Sequence, residues 1–367
     1  MEKLRKITGA LAAGALLLAL TMYAPEAAAG VRLGLRTAAG TALPALFPFF
    51  VAGPLMVRTG LAAAAGRLLA RPFRRVYGLP GTGAAALALG LLGGYPVGAQ
   101  ATVQLFQAGQ LSREEAEQLL GFTNCSGPAF LVGMCGSAVC GSVRTGFVLY
   151  AIHAAAALLS GLALTRGKSG GRKPPRPVPA EPFPAAFTSA VSDGMATALK
   201  VTAFIVFFAV LLSLAEAVGV LGVFAAALTP LLRLAGLPGP ATDAAARGLL
   251  ELTNGLAALP ALGLGARELL PLMSLLTGFG GLSVHCQTLS LLTGTGLSTR
   301  TYWAGKVLHA ALSYALASIW CTALPQSTPV FAPAAASGPA SALFPAAAAF
   351  VLILFSIRYG KMAKDAL

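Results

Sequence analysis

Residues that break helices or bear polar groups interrupt four otherwise apolar stretches of the chain. These interruptions are 93–98, 123–128, 251–255 and 278–287, and they contain glycine, proline, asparagine, threonine and serine. Unpaired backbone groups in lipid cost several kcal/mol each, so such breaks occur where protein or a cavity surrounds them. A half-helix that begins at a break presents free N–H groups and a partial positive charge, which attract carboxylates and phosphates. The four breaks therefore predict a binding site for a small anion.

The candidate substrate-binding residues all lie in these breaks. They are Gly94, Tyr95, Pro96, Gly98, Thr123, Asn124, Ser126, Gly127, Thr253, Asn254, Gly255, Gly280, Gly281, Ser283, His285 and Gln287. A carboxylate within a membrane is costly and suggests a functional site, which makes Glu251 a candidate for proton coupling. His285 is a second candidate, because histidine titrates near neutral pH. Two alternatives stay open: Glu251 at the water interface, and His285 as a neutral packing residue.

The composition indicates a membrane protein without catalytic chemistry. Of 367 residues, 56% are hydrophobic and only 10% are charged, whereas about 25% are charged in soluble domains. The net charge of +14 comes from basic residues between long apolar runs, which favours a membrane over nucleic acid as the partner. Five cysteines without a CxxC pair suggest neither disulfides nor zinc. No Walker A loop is present, so we expect no enzyme, no cofactor and no metal.

Apolar runs long enough to cross a bilayer recur along the whole chain. A crossing helix needs about 20 apolar residues, and the candidates are 7–24, 38–57, 82–101, 145–165, 197–217, 244–262, 302–323 and 341–357. The segments 119–140 and 270–293 are apolar but interrupted, and we expect them to be re-entrant hairpins that do not cross. The first span also resembles a signal peptide, although an uncleaved span is favoured in a polytopic chain.

The two halves of the chain repeat each other. With a shift of 158 residues, the run Gly-Leu-Pro-Gly at 78–81 recurs at 236–239, and with a shift of 157 residues Gly121-Phe122 recurs as Gly278-Phe279. With two hairpins, 20 Lys and Arg residues fall on the cytoplasmic side and 6 on the other, as the positive-inside rule requires. In this assignment Arg113 lies outside, whereas Arg267 and Lys306 lie inside. The repeats then have opposite orientations, which is typical of secondary transporters.

The sequence therefore predicts an all-α polytopic membrane protein with two inverted repeats, discontinuous helices and re-entrant hairpins. Its expected regions are an N-terminal span, a first repeat, a basic Pro-rich cytoplasmic linker, a second repeat and a C-terminal loop with a final span. The corresponding ranges are 1–37, 38–166, 167–190, 191–324 and 325–367.

The four breaks, together with the run 43–50, carry a resemblance to a known family. The runs Gly94-Tyr95-Pro96, Phe122-Thr123-Asn124, 251–255 and 279–287 resemble those of the YlbJ (SpoVV) family of sporulation integral membrane proteins, over roughly residues 35–320. That family contains paired nucleoside-recognition (Gate) domains, which resemble the core of concentrative nucleoside transporters. The resemblance implies transport of dipicolinic acid across the outer forespore membrane. The chain departs from the family pattern at Cys125 and Cys286.

We therefore expect an integral membrane carrier for a small planar anion, with dipicolinate as the suspected substrate. Two alternatives remain open: a nucleoside or nucleobase carrier of the same fold, and a non-transporting scaffold for spore envelope assembly. The expected partners are the small anion and the lipid bilayer, without nucleic acid, and a homo-oligomer is left open.

Overall fold

The structure is a computed structural model that describes residues 2–165, 180–234, 239 and 241–323. Every regular element in these ranges is a helix. The final predicted span at 341–357, most of the linker and most of the second Gly-Leu-Pro-Gly run lie outside the described residues.

The first half contains eight α-helices and two π-helical segments among its described residues. They are α1 (Glu2–Met22), α2 (Ala24–Thr37), π1 (Ala38–Ala42), α3 (Leu43–Arg58), α4 (Leu61–Tyr77), α5 (Thr82–Gly93), α6 (Val97–Gln107), α7 (Arg113–Thr123), π2 (Ala129–Val139) and α8 (Val143–Thr165).

The second half repeats this order in its described residues. Its elements are α9 (Phe183–Ala217), α10 (Val220–Leu234), α11 (Ala241–Leu250), α12 (Leu252–Ala258), a 3₁₀ turn (Leu259–Leu262), α13 (Ala266–Phe279), α14 (Gly281–Leu292) and α15 (Arg300–Thr322).

The lengths of corresponding elements agree between the halves. Helix α2, π1 and α3, of 14, 5 and 16 residues, run end to end and match the 35-residue α9, against which α2 and α3 pack. Helices α8 and α15, which end the two repeats, are 23 residues each. The predicted architecture of two helical repeats with discontinuous helices is confirmed, and the structural correspondence begins at Ala24.

The two hairpins lie in different segments from those predicted. Helix α5 packs along α6, and α11 packs along α12, so the chain reverses at each of these breaks. Helices α13 and α14 instead continue as one apolar stretch, Ala266–Leu292, that is long enough to cross a membrane. Helix α7 packs on α6, α8 and α15, whereas π2 packs mainly on α8. The predicted hairpins at 119–140 and 270–293 are therefore wrong, and the hairpins are α5–α6 and α11–α12.

Length gives the physical reason for this exchange. Helices α5 and α6 contain 12 and 11 residues, which is about 16–18 Å of helix each. The hydrocarbon core is about 30 Å thick, so neither helix crosses it alone. The 27 residues of Ala266–Leu292 extend about 40 Å, which is long enough to cross it.

Three helical stretches within the described ranges are long and apolar enough to span a membrane: Val143–Thr165, Phe183–Ala217 and Ala266–Leu292. Two bent pairs raise this number to five if each pair is counted as one span. In the first, Ile7–Met22 meets Ala24–Gly40 at 96°, and in the second, Arg67–Tyr77 meets Thr82–Gly93 at 89°. The predicted first span, 7–24, therefore ends at the sharp bend between α1 and α2.

Candidate functional site

All four breaks meet at a single cavity. Its volume is about 70 Å³, which accommodates several water molecules or part of a small solute. Both halves contribute to its wall, which consists of Thr37, Ala42, Leu46, Gly94, Tyr95, Ser126, Gly127, Ala129, Phe130, Val201, Ile205, Glu251, Leu252, Thr253, Ser283, Val284 and Gln287. The cavity is mostly apolar, with a few polar groups, as is typical of small-molecule sites.

Seven of the sixteen candidate substrate-binding residues line this cavity. They are Gly94, Tyr95, Ser126, Gly127, Thr253, Ser283 and Gln287. The other nine stand behind the wall or shape the turns: Pro96, Gly98, Thr123, Asn124, Asn254, Gly255, Gly280, Gly281 and His285. Glu251, the candidate coupling residue, also lines the cavity.

The first hairpin turns tightly at Gly94. This glycine has a φ of +79°, a left-handed conformation that side-chain-bearing residues rarely adopt. The next residue, Tyr95, faces the cavity, and its hydroxyl donates a hydrogen bond to the carbonyl oxygen of Thr277 on α13. The hairpin tip of the first half is therefore attached to the broken span of the second half.

The hairpin also packs unusually closely on α7. A Cβ atom at Gly98 would overlap the carbonyl oxygen of Thr123 and lie 2.8 Å from Cα of Gly90. The hydroxyl of Thr123 lies 3.1 Å from that of Thr102 on α6. Glycine at position 98 thus lets α5, α6 and the end of α7 approach backbone to backbone.

The break between α7 and π2 is held by side chains from α8, α14 and α15. The Asn124 amide donates to the hydroxyl oxygen of Thr288 at 2.9 Å and to that of Tyr302 at 3.4 Å. The backbone N–H of Ser126 donates to Nε2 of His153 at 2.8 Å. Ser126 lines the cavity, and its buried hydroxyl makes no hydrogen bond of good geometry among the described residues, so it is a candidate hydrogen-bonding group for a solute.

At the second hairpin, the N-terminus of α12 is already occupied by a carboxylate. Glu251 is 3% exposed, and its side chain accepts hydrogen bonds from the N–H groups of Thr253 at 3.2 Å and Asn254 at 2.8 Å. This is N-capping by an acidic residue, favoured by the helix dipole. These two N–H groups, expected to bind a ligand anion, therefore bind the protein's own carboxylate. Glu251 is therefore buried beside the cavity.

His285 lies behind the cavity wall, in an aromatic enclosure. It is 0% exposed, and its Nδ1 lies 2.7 Å from the hydroxyl oxygen of Tyr302. The rings of Phe279 and Trp303 pack against its imidazole, with centroids 4.6 and 4.4 Å away. These contacts fit the packing alternative better than direct contact with a solute.

Lys306 is the functional candidate that the sequence reasoning missed. The charge pattern places Lys306 among the basic residues at the cytoplasmic surface, which is wrong, because its side chain is buried in the interior and only 1% exposed. Its Nζ donates to the Tyr95 hydroxyl oxygen and to the backbone oxygen of Asn124, both at 3.1 Å. The available signal was the polar face formed by Tyr302, Lys306 and His309 along an apolar helix.

One cluster has donor atoms of the types that bind metals. Donor atoms of Cys125, His153 and His309 lie within 4.8 Å of one another and all three residues are buried. The Nε2 atom of His153 already accepts the Ser126 N–H, and Nε2 of His309 lies 3.0 Å from the backbone oxygen of His153. The Lys306 ammonium binds the adjacent Asn124 carbonyl and disfavours a second cation here. The cluster is best described as packing of two imidazoles and a thiol.

Comparisons with known proteins agree with this architecture. Residues 39–143 match the nucleoside-recognition (Gate) family. The chain is 28% identical over 293 residues to the sporulation integral membrane protein YlbJ of Bacillus subtilis (strain 168), covering 72% of this chain and 70% of YlbJ. The resemblance proposed from the motifs is thereby confirmed.

A solved structure has the same fold. It is a double variant of CNTnw, a concentrative nucleoside transporter, in an outward-facing state, with a TM-score of 0.51, 14% identity, and coverage of 78% of this chain and 75% of the other. At this identity the likeness shows the fold alone. The chain is thus an integral membrane protein whose residues 39–143 are similar to the nucleoside-recognition (Gate) family, whose sequence is similar to that of YlbJ, and whose fold is that of a concentrative nucleoside transporter.

Proposed function

We propose that this chain is a carrier that moves a small solute across its membrane by alternating access, with the cavity as the binding site. The observation that supports this is the meeting of all four breaks, two from each repeat, at one cavity. In carriers built from repeats, the substrate site lies at the repeat interface and is formed by discontinuous helices. A scaffold has no need for such a cavity.

The proposed substrate is a small planar anion, with dipicolinate as the first compound to test and the outer forespore membrane as the proposed location. The relation to YlbJ supports the link to sporulation. Apolar side chains such as Leu46, Phe130 and Ile205 offer faces for a flat ring, and Ser126 and Gln287 offer hydrogen bonds. The ammonium of Lys306, directly behind Tyr95, adds a positive potential at this side of the cavity.

Glu251 is the proposed coupling residue. Glu251 lines the cavity, and its carboxylate caps the N-terminus of α12. Protonation would neutralise the carboxylate and weaken this capping interaction. The Glu251→Gln variant should abolish any dependence of uptake on a proton gradient. An unchanged pH profile in a folded, active variant would remove Glu251 from this role.

A nucleoside carrier is the second candidate, and one specific observation favours it. The Glu251 carboxylate at the cavity repels an anion but accepts hydrogen bonds from hydroxyl groups, which a sugar provides. The fold shared with a concentrative nucleoside transporter agrees with this candidate without establishing it.

Uptake into proteoliposomes tests both candidates together. The purified chain is reconstituted, and uptake of labelled dipicolinate and labelled uridine is measured side by side. The Ser126→Ala variant should lower uptake of the true substrate by about tenfold, since one lost hydrogen bond is worth about 1.4 kcal/mol. Ser192→Ala, an exposed position on α9, is the matched control and should leave uptake unchanged.

The outcomes separate the alternatives. Dipicolinate uptake that falls in Ser126→Ala supports the proposed substrate and the proposed site. Uridine uptake alone supports the second candidate. If neither dipicolinate nor uridine is taken up, and size-exclusion chromatography shows that the protein is folded, the carrier function is contradicted and the scaffold alternative remains.

A further inference from the structure

The buried ammonium of Lys306 has no carboxylate partner among the described residues. Its hydrogen bonds go to the Tyr95 hydroxyl and the Asn124 carbonyl, and its Nζ also lies 4.7 Å from the centroid of the Tyr95 ring. A buried charge without an opposite charge is costly and is compensated only by well-placed dipoles. The two oxygen atoms that accept hydrogen bonds from Lys306 are dipoles of this kind.

The dipoles at this site come from a broken helix. Asn124 is the residue that ends α7, and carbonyl groups at a helix C-terminus carry a partial negative charge. The Tyr95 hydroxyl donates its proton to the Thr277 carbonyl, which leaves its oxygen free to accept from Lys306. Helix C-termini and unwound carbonyls at such breaks are the groups that bind the coupling Na⁺ or H⁺ in carriers with discontinuous helices.

The site also joins the two repeats. Lys306 and Thr277 belong to the second half, whereas Tyr95 and Asn124 belong to the first half. Tyr95 lines the cavity itself. A cation held at this position thus fixes the tip of the first hairpin and the end of α7 to α13 and α15, directly behind the proposed solute site.

We propose that the ammonium of Lys306 is a built-in substitute for a coupling metal cation. It occupies the oxygen-lined position at the end of α7 permanently, so the chain folds and works without bound Na⁺. The part of this inference that concerns transport rests on the carrier function proposed above, whereas the part that concerns the cation site does not.

Thermal stability tests the cation site without any substrate. The midpoint Tm of the purified full-length protein is measured in detergent, in NaCl and in choline chloride at equal ionic strength. The wild type should show the same Tm in both salts. The Lys306→Ala variant should have a lower Tm in choline chloride, and Na⁺ should raise it by a few degrees, because an ion that binds only the folded state stabilises it. Lys200→Ala, an exposed lysine on α9, is the matched control and should respond like the wild type.

Two results would overturn the proposal: a specific stabilisation of the wild type by Na⁺, or a folded Lys306→Ala variant that is indifferent to Na⁺. If Lys306→Ala does not fold, the wild type decides alone, through its Tm in the two salts and its uptake with and without a Na⁺ gradient. Equal Tm values in the two salts and equal uptake with and without the gradient support a built-in cation. A higher Tm or faster uptake with Na⁺ contradicts it. Loss of all solute uptake would contradict the carrier function, while the stability comparison would still test Lys306.

Discussion

The tips of the two hairpins occupy corresponding positions but are built from different residues. Gly94 and Glu251 are 157 positions apart, as are Gly98 and Gly255. The glycines at 98 and 255 have the same task, since each brings the second helix of its hairpin against the backbone of a neighbour. At the tip itself, the first half has a glycine with φ of +79°, whereas the second half has a carboxylate that caps α12.

The surroundings of the two breaks also differ in their ionisable groups: Lys306 stands behind the cavity wall, and Glu251 lines the cavity. The break in the first half receives the ammonium of Lys306, and the tip of the second half carries the carboxylate of Glu251. Positions that hold helices together are shared between the repeats, whereas most positions that face the cavity have diverged, apart from the corresponding serines Ser126 and Ser283. The shared glycines therefore specify the fold, and the diverged charges are the candidates for selecting the solute.

The largest expected effect comes from the shared glycines. Both Gly98→Ala and Gly255→Ala place a methyl group where the backbone of Thr123 or Gly248 already lies. Since backbone cannot move aside as a side chain can, each variant should lose about 3 kcal/mol of stability or more. Thermal unfolding of the purified variants by size-exclusion fluorescence measures this loss.

Gly222→Ala on α10 is the control for both variants, because a Cβ there has nothing within 4 Å. In an open helical position, alanine should raise stability by up to about 1 kcal/mol. A wild-type Tm for Gly98→Ala or Gly255→Ala would show that the close contact is not required in that half. It would contradict the inference that the two glycines have the same role.

The next effect concerns the capped tip. Glu251→Ala removes the acceptor of two backbone hydrogen bonds and should cost about 1–2 kcal/mol of stability. Glu251→Gln keeps one acceptor oxygen and should cost less than Glu251→Ala. Thermal unfolding distinguishes the two variants, and equal losses would indicate that charge, and not capping, is the contribution of Glu251.

A smaller effect tests the link between the repeats at Asn124. Thr288→Val removes the hydroxyl that accepts from the Asn124 amide at 2.9 Å while nearly keeping the shape of the side chain. We expect a loss of about 1 kcal/mol. Thr293→Val is the control, because its exposed hydroxyl bonds only to the backbone of its own helix. A loss equal to that of Thr293→Val would mean that this link contributes nothing.

The smallest effects should come from the ion pairs of Arg58 and Arg247, which link α3 and α11 to α9. Arg58 contacts Glu181 and Asp193, and Arg247 contacts Glu216 and Asp243. These pairs are partly exposed, so Arg58→Ala and Arg247→Ala should each cost less than about 1 kcal/mol, and less again at high salt. Unfolding at two salt concentrations checks this, and a loss that does not depend on salt would argue for packing by the arginine stem instead.

The repeats and the four breaks could be predicted from sequence because both leave local patterns. The identity of the hairpins could not be predicted from charge. When α5–α6 and α11–α12 become the hairpins, Arg113 moves to the cytoplasmic side and Arg267 moves to the other side. The totals of 20 and 6 Lys and Arg residues on the two sides therefore do not change. Helix length would have decided correctly, since 12 and 11 residues do not cross a bilayer.

The role of Lys306 illustrates what remains beyond a single sequence. Its partners Tyr95 and Asn124 lie 211 and 182 positions away, and only the packing of α15 against α7 and α8 brings them together. Within its own helix, Lys306 is one basic residue near the end of a predicted span, which charge rules assign to the water interface. The burial of Lys306 could therefore be recognised only from the tertiary structure.

The ion pairs of α9 have a further consequence for the surrounding lipid. Asp193 and Glu216, each bound to an arginine of another helix, lie 23 positions apart, which is about 35 Å along a helix. A hydrocarbon core of about 30 Å accommodates that distance if α9 is inclined by roughly 30°. Because α9 is fixed to other helices at both Asp193 and Glu216, a change in bilayer thickness would tilt these helices together. The acyl chain length of the lipids should therefore influence the activity of the protein. Bilayer thickness would also favour some membranes over others as the location of the protein.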